Sequence, residues 1–569
     1  MERTIVVYRV VLAKLMTLMK QKILISLLLF LAQNLFSQTK QTIDSEAITD
    51  RLYQHASDDT PGMAVGIVKD GKIIYENYLG YANLEHQIAV DKNTRFNIAS
   101  NAKQYTALCI LKLKEGGKIN LEDDLRKYLP GLYPDIQEKI TISNLLTHTS
   151  GVRDYCDLLA LTGKTWWKQF IDNGDVMELL LKQKDLNFKP GTEYLYSNSN
   201  YILLTEIIKN VTGQDFSEYA KNMFEGLDIS STQFLTNYMS VIPHKARPYG
   251  NWGAWREEPT ITEVHGDGAL FTTLRDQLKW EQIIQLNDGE YLSQKLITES
   301  QSPLESSIEN SYGYGLEFGT FMGRDYSYHN GSTSAYNATF LRFPVENTSI
   351  VVMSNNRSVP SNYLARQIAQ VILGFHEEQK KEAYPANPEK VEKLKNIKDV
   401  LGAYEGRDGT IVRITEKNDS LYREIYHRES VKLIQEKESL FGYETIEGLK
   451  MNFTNISKPG QQFTLYMASQ EPNTYYKISD SNLMNDDKSE LNGRFYNEET
   501  NTEIILKHKE GDKYSLIKNG RERNAQLILE DYLRMMDVYK IRVIRDEENK
   551  VIGLNVDRGR VKNVIFNKI

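Results

Sequence analysis

The spacing of apolar residues changes along the chain, and each change predicts a different kind of structure. Near the beginning, two β-rich runs flank the turn sequence "KDGK" at Lys69–Lys72, which predicts a hairpin. Between Asn101 and Gly289, apolar residues recur at the three- and four-residue spacing of amphipathic helices. Strand patterns return in "YGYGLEFGTF", "ATFLRFP" and "TSIVVMSNN", before a last helical segment in "SNYLARQIAQVILGF". This order predicts an α+β fold, with an antiparallel sheet flanked by helices plus a helical region.

The remainder of the chain has a different pattern. A Lys- and Glu-rich linker, residues 377–396, is followed by short alternating strands separated by turn residues. Two segments, beginning at Leu401 and Leu491, repeat the same order of leucine, glycine, aromatic residue, charged turn, strand, polar turn and strand. We therefore expect two all-β, barrel-like modules, at residues 397–484 and 488–569.

The N-terminal segment has the three-part layout of a secretory signal. From Met19 it has lysines at its start, an apolar stretch over Ile23–Ala32, and Ser37 and Gln38 where a peptidase would cleave. The apolar stretch is shorter than the ~20 residues that a transmembrane helix needs. We expect a signal peptide over residues 1–38, export to the periplasm or out of the cell, and no stable membrane insertion after cleavage.

Composition excludes several classes of function. The net charge of −7 is spread over interspersed acidic and basic residues, a pattern that argues against a nucleic-acid partner. The two cysteines are too few for a disulfide framework. The sequence has no Gly-x-Ser-x-Gly elbow, no His-Glu-x-x-His zinc motif and no Gly-rich phosphate loop. We therefore expect neither a metal nor a cofactor.

A serine three residues before a lysine is the first candidate for catalysis. The pattern occurs at Ser100 and Lys103, and two further copies begin at Ser37 and Ser515. Ser37 lies at the expected cleavage point, and Ser515 lies in a strand pattern, where side chains three residues apart point to opposite faces. On a predicted helix the same spacing puts Ser100 and Lys103 on one face, about 5–6 Å apart between their Cβ atoms. A serine that only caps a helix is the alternative interpretation.

Two later segments supply candidate partners for this pair. Tyr196 and Asn198 precede an apolar helix in "YLYSNSNYILL", and a phenol acts as a base only if nearby cations lower its pKa. His329 and Gly331 stand at the start of a predicted edge strand in "YSYHNGSTSAYNATF", where glycine allows a ligand to approach the backbone. The amide of Ser332 is then placed to donate to an oxyanion. A purely structural role for each segment is the alternative.

Taken in order along the chain, the Ser-x-x-Lys, Tyr-x-Asn and His-x-Gly pairs resemble the three motifs of the class C β-lactamase-like serine hydrolases. Penicillin-binding proteins, D-aminopeptidases and esterases share that family. The segments "TISNLLTHTSG", "HGDGALFTTLRD" and "FPVENTSIVVMSNN" are similar to it as well. The resemblance implies a β-lactamase/transpeptidase-like domain over residues 42–376. The closing segment "IRVIRDEENKVIGLNVDRGRVKNVIFNKI" resembles the last strands of lipocalin-like modules attached to such hydrolases, so both C-terminal modules are expected to be lipocalin-like.

The resemblance also implies a role for each residue. Ser100 would be the nucleophile that forms an acyl-enzyme, and Lys103 together with Tyr196 would be the base that takes its proton. The backbone N–H groups of Ser100 and Ser332 would hold the oxyanion. Asn198 would orient Lys103 and the substrate.

One departure from the family pattern bears on the substrate. β-Lactamases and DD-peptidases of this family carry Lys-Thr-Gly where this chain has His329, Asn330 and Gly331, on the strand implied to bind substrate. A histidine with its ordinary pKa of ~6.5 is mostly neutral at pH 7 and suits a carboxylate poorly. We therefore expect an exported serine hydrolase that cleaves an ester, amide or peptide bond of a small-molecule or peptide substrate. A D-amino-acid-specific peptidase, a β-lactamase or DD-peptidase, and an inactive binding protein of the cell envelope are the alternatives; the oligomeric state is left open.

Other residues near the motifs have simpler interpretations. His148 in "LLTHTSG" is interpreted as structural, and His265 in "VHGDG" as a residue of the cleft wall. Trp166 and Trp167 lie between the first two motifs, where a lid over the cleft and a core position are both consistent with the sequence.

Overall fold

The structure, a computed structural model, describes most of the chain in segments separated by gaps. The described residues are 44–287, 290–304, 311–374, 394, 396–406, 410–425, 430–444, 449–466, 473–478, 488–529, 531–535 and 539–569. The predicted signal peptide, residues 1–38, lies outside them, as does nearly all of the predicted linker at residues 377–396. No helix among the described residues is both long and apolar enough to cross a membrane.

Strands at both ends of the first part of the chain pair in one sheet. The strands of this part are β1 (Met63–Lys69), β2 (Lys72–Leu79), β3 (Tyr81–Asn83), β4 (Ile88–Ala89), β5 (Phe96–Asn97), β6 (Gln233–Phe234), β7 (Tyr249–Asn251), β8 (Trp255–Glu257), β9 (Leu270–Thr272), β10 (Glu317–Phe321), β11 (Arg324–Thr333), β12 (Tyr336–Phe343) and β13 (Thr348–Ser354). Six of them form an antiparallel sheet in the order β10-β11-β12-β13-β1-β2, and β5, β9 and β6 form a smaller one. The predicted antiparallel sheet is therefore confirmed.

Helices cover this sheet and fill the middle of the chain. The α-helices are α1 (Ser45–Tyr53), α2 (Lys103–Glu115), α3 (Ile142–Leu146), α4 (Tyr155–Leu161), α5 (Asn173–Leu181), α6 (Asn198–Thr212), α7 (Phe216–Gly226), α8 (Leu274–Leu286), α9 (Gln294–Ser300) and α10 (Ser361–Leu373). Helices α8 and α10 pack on strands of the six-stranded sheet, and α2 contacts α6, α7 and α9. Every residue of α2 from Lys103 to Leu111 is buried, as expected of a helix surrounded by other elements.

The first hairpin shows why a local turn sequence is predictive. Lys69 of β1 pairs with Lys72 of β2, and both residues between them have positive φ, 50° at Asp70 and 70° at Gly71. Two positive φ angles define the type I′ turn that Asp-Gly favours and that matches the twist of a hairpin. The hairpin predicted from "KDGK" is present.

Two closed eight-stranded antiparallel barrels follow. The first consists of β14 (Gly402–Gly406), β15 (Ile411–Lys417), β16 (Ser420–Ile425), β17 (Val431–Lys437), β18 (Leu440–Tyr443), β19 (Lys450–Thr454), β20 (Gln462–Tyr466) and β21 (Asn473–Lys477). The second consists of β22 (Gly493–Asn497), β23 (Thr502–His508), β24 (Lys513–Lys518), β25 (Arg521–Leu529), β26 (Tyr532–Met535), β27 (Tyr539–Arg545), β28 (Val551–Arg558) and β29 (Val561–Lys568). The predicted all-β, barrel-like modules are therefore confirmed as barrels.

The two barrels differ in where their apolar cores continue. The first barrel is filled by its own side chains, among them Tyr404, Phe453 and Phe463, and forms a separate apolar cluster. The core of the second barrel, with Phe495 and Phe566, is continuous with the core of the sheet and helices. The second barrel is thus packed on the first part of the chain.

Candidate active site

Ser100 lies in a tight turn between a strand and the central helix. Strand β5 ends at Asn97, whose side chain accepts a hydrogen bond from the N–H of Ala99 at 2.9 Å. Ala99 has a left-handed backbone, with φ of 47°, and Ala99–Ala102 form a 3₁₀ turn. The regular helix α2 begins only at Lys103. The helical spacing predicted for Ser100 and Lys103 is present, although its first turn is of the tighter 3₁₀ type.

Lys103 is buried and makes three hydrogen bonds through its ammonium group. Its Nζ donates to Ser100 Oγ at 3.2 Å, to Asn198 Oδ1 at 3.0 Å and to the carbonyl oxygen of Asp267 at 2.6 Å. Burial lowers the pKa of Lys103 to about 8, against the opposing charge of the Asp267 carboxylate. An amine with this pKa has a substantial neutral fraction near pH 7 to 8 and is able to accept a proton there.

Tyr196 and Asn198 lie at the N-terminus of α6, next to this lysine. The centre of the Tyr196 ring is 5.0 Å from Lys103 Nζ and 4.2 Å from the ring of His148. Burial raises the pKa of the Tyr196 phenol well above its ordinary value, and its hydrogen bond to Ser100 lowers the pKa by less. The phenol is therefore protonated at neutral pH. Nearby cations do not make it a phenolate, because the effect of burial is larger than theirs.

His329 is buried and held in one neutral form. Its Nδ1 lies 2.8 Å from the carbonyl oxygen of Asn330, which can only accept, so Nδ1 carries the proton. Its Nε2 then accepts a hydrogen bond from the hydroxyl of Tyr312 at 2.9 Å. Burial, followed by the charge of Lys103, lowers the pKa of His329 to about 3. At pH 7 this position carries no charge.

Gly331 and Ser332 lie in the second half of β11, and β11 is an inner strand. The predicted strand start at His329 is wrong, because β11 begins at Arg324. The predicted edge is present at Gly331, because β10 pairs only with Arg324–Tyr328 and, among the described residues, His329–Thr333 pair with β12 alone. A β-carbon at Gly331 would lie 2.2 Å from the carbonyl oxygen of Ile98. The close approach that glycine permits here is therefore made by the turn that carries Ser100.

A cavity of about 280 Å³ opens beside this turn, and Ser100, Asn198 and Ser332 line it. Much of the remaining wall is aromatic or apolar, and includes Tyr155, Trp166, Leu235, Tyr238, Phe271 and Tyr336. Trp166 is thus part of the cavity wall, whereas Trp167 is 41% exposed. The same wall also carries Lys245, Glu257 and Asp267, so the serine hydroxyl opens on a pocket that has an apolar part and a charged part.

Two histidines near the motifs lie outside the cavity wall. His148 is fully buried, and its Nδ1 accepts the N–H of Ser197 at 3.2 Å, so it supports the Tyr-x-Asn segment. His265 packs against the ring of Phe216 and bonds the carbonyl oxygen of Glu263 at 2.8 Å. The prediction that His265 forms part of the cleft wall is wrong, because its loop turns the ring toward α7 instead.

Sequence reasoning missed a buried aspartate behind Tyr196 and Asn198. One oxygen of Asp154, a fully buried residue, accepts the N–H of Asn198 at 2.7 Å. Its other oxygen accepts the N–H of Cys156 at 3.0 Å, at the N-terminus of α4, and pairs with Arg560 of the second barrel at 3.2 Å. An aspartate before a helix is a recognisable N-cap signal. Its bond to Asn198 and its ion pair with Arg560 have no signature in local spacing.

Sequence comparisons identify the family of the sheet-and-helix part of the chain. The sequence model of the Beta-lactamase family matches residues 49–373, more than half of the chain. Protein flp of Staphylococcus aureus (strain N315) is 32% identical over 334 residues, which cover 56% of this chain and 65% of that protein. Penicillin-binding protein 4* of Bacillus subtilis (strain 168) is 24% identical over 427 residues, which cover 70% of this chain and 90% of that protein. The chain thus spans less than two thirds of the length of Protein flp.

A structural comparison supports the same fold. The octameric penicillin-binding protein homologue from Pyrococcus abyssi superposes with a TM-score of 0.53 at 23% identity, covering 75% of this chain and 98% of that one. At this identity the likeness concerns the fold alone. With the family match over residues 49–373 and the motifs in their predicted order, the chain belongs to the Beta-lactamase family.

Proposed function

We propose that the protein is an exported serine hydrolase that cleaves ester, amide or peptide bonds through an acyl-enzyme at Ser100. The observation that carries the proposal is the 3.2 Å hydrogen bond from Lys103 Nζ to Ser100 Oγ, beside a cavity that Ser100 lines. A serine hydroxyl is a weak nucleophile until a base within hydrogen-bonding reach takes its proton. The proposal of export rests on the N-terminal signal pattern.

Lys103 is the base of the proposed reaction. In its neutral form it takes the proton of Ser100 as Oγ attacks the substrate carbonyl and forms the new carbon–oxygen bond. The resulting ammonium passes a proton through the Tyr196 hydroxyl to the leaving oxygen or nitrogen, as the bond between that atom and the carbonyl carbon breaks. Water then attacks the acyl-enzyme, and release of the acid restores the Ser100 hydroxyl. Positioned proton transfer of this kind contributes about 10²–10⁴ in rate.

The oxyanion is assigned to the backbone N–H groups of Ser100 and Ser332. Both residues line the same cavity, and they come from the two elements that Gly331 allows to pack closely. Asn198 accepts a hydrogen bond from Lys103 and lines the cavity, so it is placed to orient both the base and the substrate. Removing one donor from an oxyanion hole costs about 10²–10³ in kcat.

The wall around the reaction centre favours a substrate without a carboxylate next to β11. His329 is neutral and its two ring nitrogens are already bonded, so it supplies no cation for a penicillin or a free peptide carboxylate. The aromatic wall near Ser100 supports an apolar acyl group. We therefore propose esters and amides that lack a carboxylate at this position as the preferred substrates.

Labelling with a fluorophosphonate probe, followed by intact-mass measurement and peptide mapping, tests the acyl-enzyme site. Wild type is expected to gain one adduct, on Ser100, and Ser100→Ala none. Ser515→Ala is the matched control, because it changes the second described copy of the Ser-x-x-Lys pattern and is expected to label normally. An adduct on another residue, or none on folded wild type, contradicts the proposal.

A substrate panel tests the preference for substrates without a carboxylate. We expect p-nitrophenyl esters and D-aminoacyl p-nitroanilides to be hydrolysed with higher kcat/KM than nitrocefin, which carries a carboxylate. The Ser100→Ala variant measures the background for each compound. Faster turnover of nitrocefin than of every ester would reverse the substrate assignment but leave the acyl-enzyme at Ser100 intact.

A further inference from the structure

The hairpin between β28 and β29 brings the second barrel against the start of α4. Its tip is Gly559, with φ of 54°, and a β-carbon there would lie 2.6 Å from the Asp157 carboxylate. Arg558 forms an ion pair with Asp157, and the N–H of Arg560 donates to the same carboxylate at 2.8 Å. The tip of a barrel hairpin is therefore fitted to the first turn of a helix in the hydrolase domain, by which we mean residues 49–373.

The contact continues on both sides of this hairpin. Arg153 is fully buried and donates to the carbonyl oxygens of Lys562 at 3.1 Å and Asn563 at 2.8 Å, while it pairs with Glu499 at 2.6 Å. The side chain of Asn187 accepts the N–H of Lys562 at 2.7 Å. A fully buried guanidinium is tolerated only when its donors are paired, and here most of those partners belong to the barrel. The second barrel thus has one defined position on the hydrolase domain.

Arg560 reaches from this hairpin to the Tyr-x-Asn segment. Its guanidinium lies 5.5 Å from the centre of the Tyr196 ring and 3.2 Å from one oxygen of Asp154. The other oxygen of Asp154 accepts the N–H of Asn198 at 2.7 Å. A single barrel side chain therefore contacts Tyr196 directly and Asn198 through one carboxylate. A cation over an aromatic ring is attracted to it, and more strongly where water is excluded.

We propose that Arg560 is a positioning residue of the active site: it fixes Tyr196 and, through Asp154, Asn198 against Lys103, so that the second barrel completes the site. This role rests on the proposed function at Ser100. Arg560 does not line the cavity, so its action passes through the residues that it holds.

The charge of Arg560 affects the pH dependence of kcat/KM, which a purely structural role in docking the barrel would leave unchanged. The titratable groups facing Lys103 and Tyr196 come from several elements, and are Asp154, Tyr155, Cys156, Asp267, His148, Tyr194, Tyr201, Tyr312, His329 and Arg560. Burial has the largest effect on the pKa of both Lys103 and Tyr196, and among the groups in this set Arg560 is the permanent cation that lowers both values. Removing that cation raises the pKa of Lys103. Because the base acts in its neutral form, the pH at which kcat/KM rises then moves upward.

The experiment compares three variants of the full chain, R560Q, R560K and R558Q, in acylation of Ser100 and in the pH profile of ester hydrolysis. For R560Q we expect acylation slowed about tenfold or more, and an acidic limb of kcat/KM moved to higher pH by about 0.5 or more. R560K keeps a cation, so we expect the acidic limb of kcat/KM to stay at the wild-type pH. Acylation of Ser100 is still expected to be slower, because lysine lacks the guanidinium group that holds Tyr196 and Asp154. R558Q is the matched control: it loses the ion pair with Asp157 two residues away, and we expect acylation within about twofold of wild type with an unmoved limb.

Several results would overturn this role. One is a wild-type acylation rate together with a wild-type pH profile in R560Q. Another is an equal loss of acylation rate in R560Q and R558Q with the acidic limb of kcat/KM unmoved in both, which would mean that only the docking of the barrel matters. Thermal melting establishes that each variant is folded. If R560Q does not fold, R560K decides, because acylation at the wild-type rate would show that the guanidinium is not needed. Wild type without an adduct on Ser100 would instead overturn the proposed function, and this role with it.

Discussion

Two copies of Ser-x-x-Lys lie in the described part of the chain, one at Ser100 and Lys103 in the hydrolase domain and one at Ser515 and Lys518 in β24. Both lysines are largely removed from water, and burial lowers the pKa of each. Both also lie over a tyrosine ring, at 5.0 Å in the first copy and 5.1 Å in the second. The two copies nevertheless have different partners.

The backbone conformation separates the two cases. In the helical copy, Lys103 Nζ is 3.2 Å from Ser100 Oγ. In the strand copy, Ser515 donates to Glu522 at 2.7 Å, while Lys518 donates to the carbonyl oxygen of Ala160 at 2.8 Å. Ala160 lies near the C-terminus of α4, where the helix dipole stabilises a cation. The same four-residue pattern thus brings the serine and lysine side chains together in one place and makes a docking contact in the other.

Replacing Lys103 is expected to have the largest effect. Lys103→Met removes the proposed base, so kcat/KM for an ester should fall by about 10³ or more, near 4 kcal/mol of transition-state stabilisation. Steady-state kinetics measures the loss, and Lys518→Met is the control in the second copy. If folded Lys103→Met hydrolyses the ester within about tenfold of the wild-type rate, Lys103 is not the base, and the two copies no longer differ in function.

The same variant should change how stability depends on pH. The folded-state pKa of Lys103, about 8, lies below the ordinary 10.5, so the folded state binds this proton more weakly than the unfolded state. Wild type therefore loses stability as the pH falls from 10.5 to about 8, by up to about 3 kcal/mol, and the penalty is constant below that. Urea unfolding at pH 7.5 and pH 10.5 measures the free energy of unfolding of both proteins. The value for Lys103→Met minus that for wild type should be more positive at pH 7.5 than at pH 10.5. If the difference in free energy of unfolding between the two proteins does not change with pH, the pKa of Lys103 is not lowered in the folded state.

Replacing Lys518 tests the docking copy. Lys518→Met removes hydrogen bonds to the Ala160 carbonyl and to the Tyr539 hydroxyl, each 2.8 Å long. We expect the free energy of unfolding to fall by about 1–2 kcal/mol, with acylation of Ser100 within about threefold of wild type. Lys513→Met is the matched control in the same strand: its pair with Glu510 is exposed, so no measurable change is expected. A loss of acylation as large as that of Lys103→Met would assign a catalytic role to the second copy.

Ser515→Ala should have the smallest effect. It removes one hydrogen bond to Glu522 from a buried hydroxyl, and we expect about 1 kcal/mol of lost stability. Ester hydrolysis and probe labelling should equal those of wild type, because the partner of this serine is Glu522, whose pKa is lowered by its hydrogen bond with Lys509, so that it is a poor base. The comparison with Ser100→Ala, which should abolish labelling, is sharpest in a single mass-spectrometry experiment. Reduced labelling of Ser515→Ala at native stability would contradict the assignment of function to the helical copy.

Periodicity and turn chemistry were sufficient to predict the α+β fold, the first hairpin and the barrels. The reason is that side-chain spacing on a helix or strand is set by local backbone geometry. The same local rule separated Ser100 from Ser515. It failed for the start of β11, which lies at Arg324 and not at His329, because the residues before His329 join the sheet by pairing with the distant partner strand β10. Nothing in the spacing around His265 indicates which way its loop turns the ring.

By itself, the sequence determined which elements form and which residues carry the three motifs. Only the tertiary structure decided the protonation of those residues and the contacts behind them. The lowered pKa of Lys103, the neutral His329 and the protonated Tyr196 all follow from burial, which a residue acquires from the elements packed around it. Arg560 reaches Tyr196 because a distant barrel docks on α4, and contacts between parts so far apart in the chain leave no pattern in local spacing.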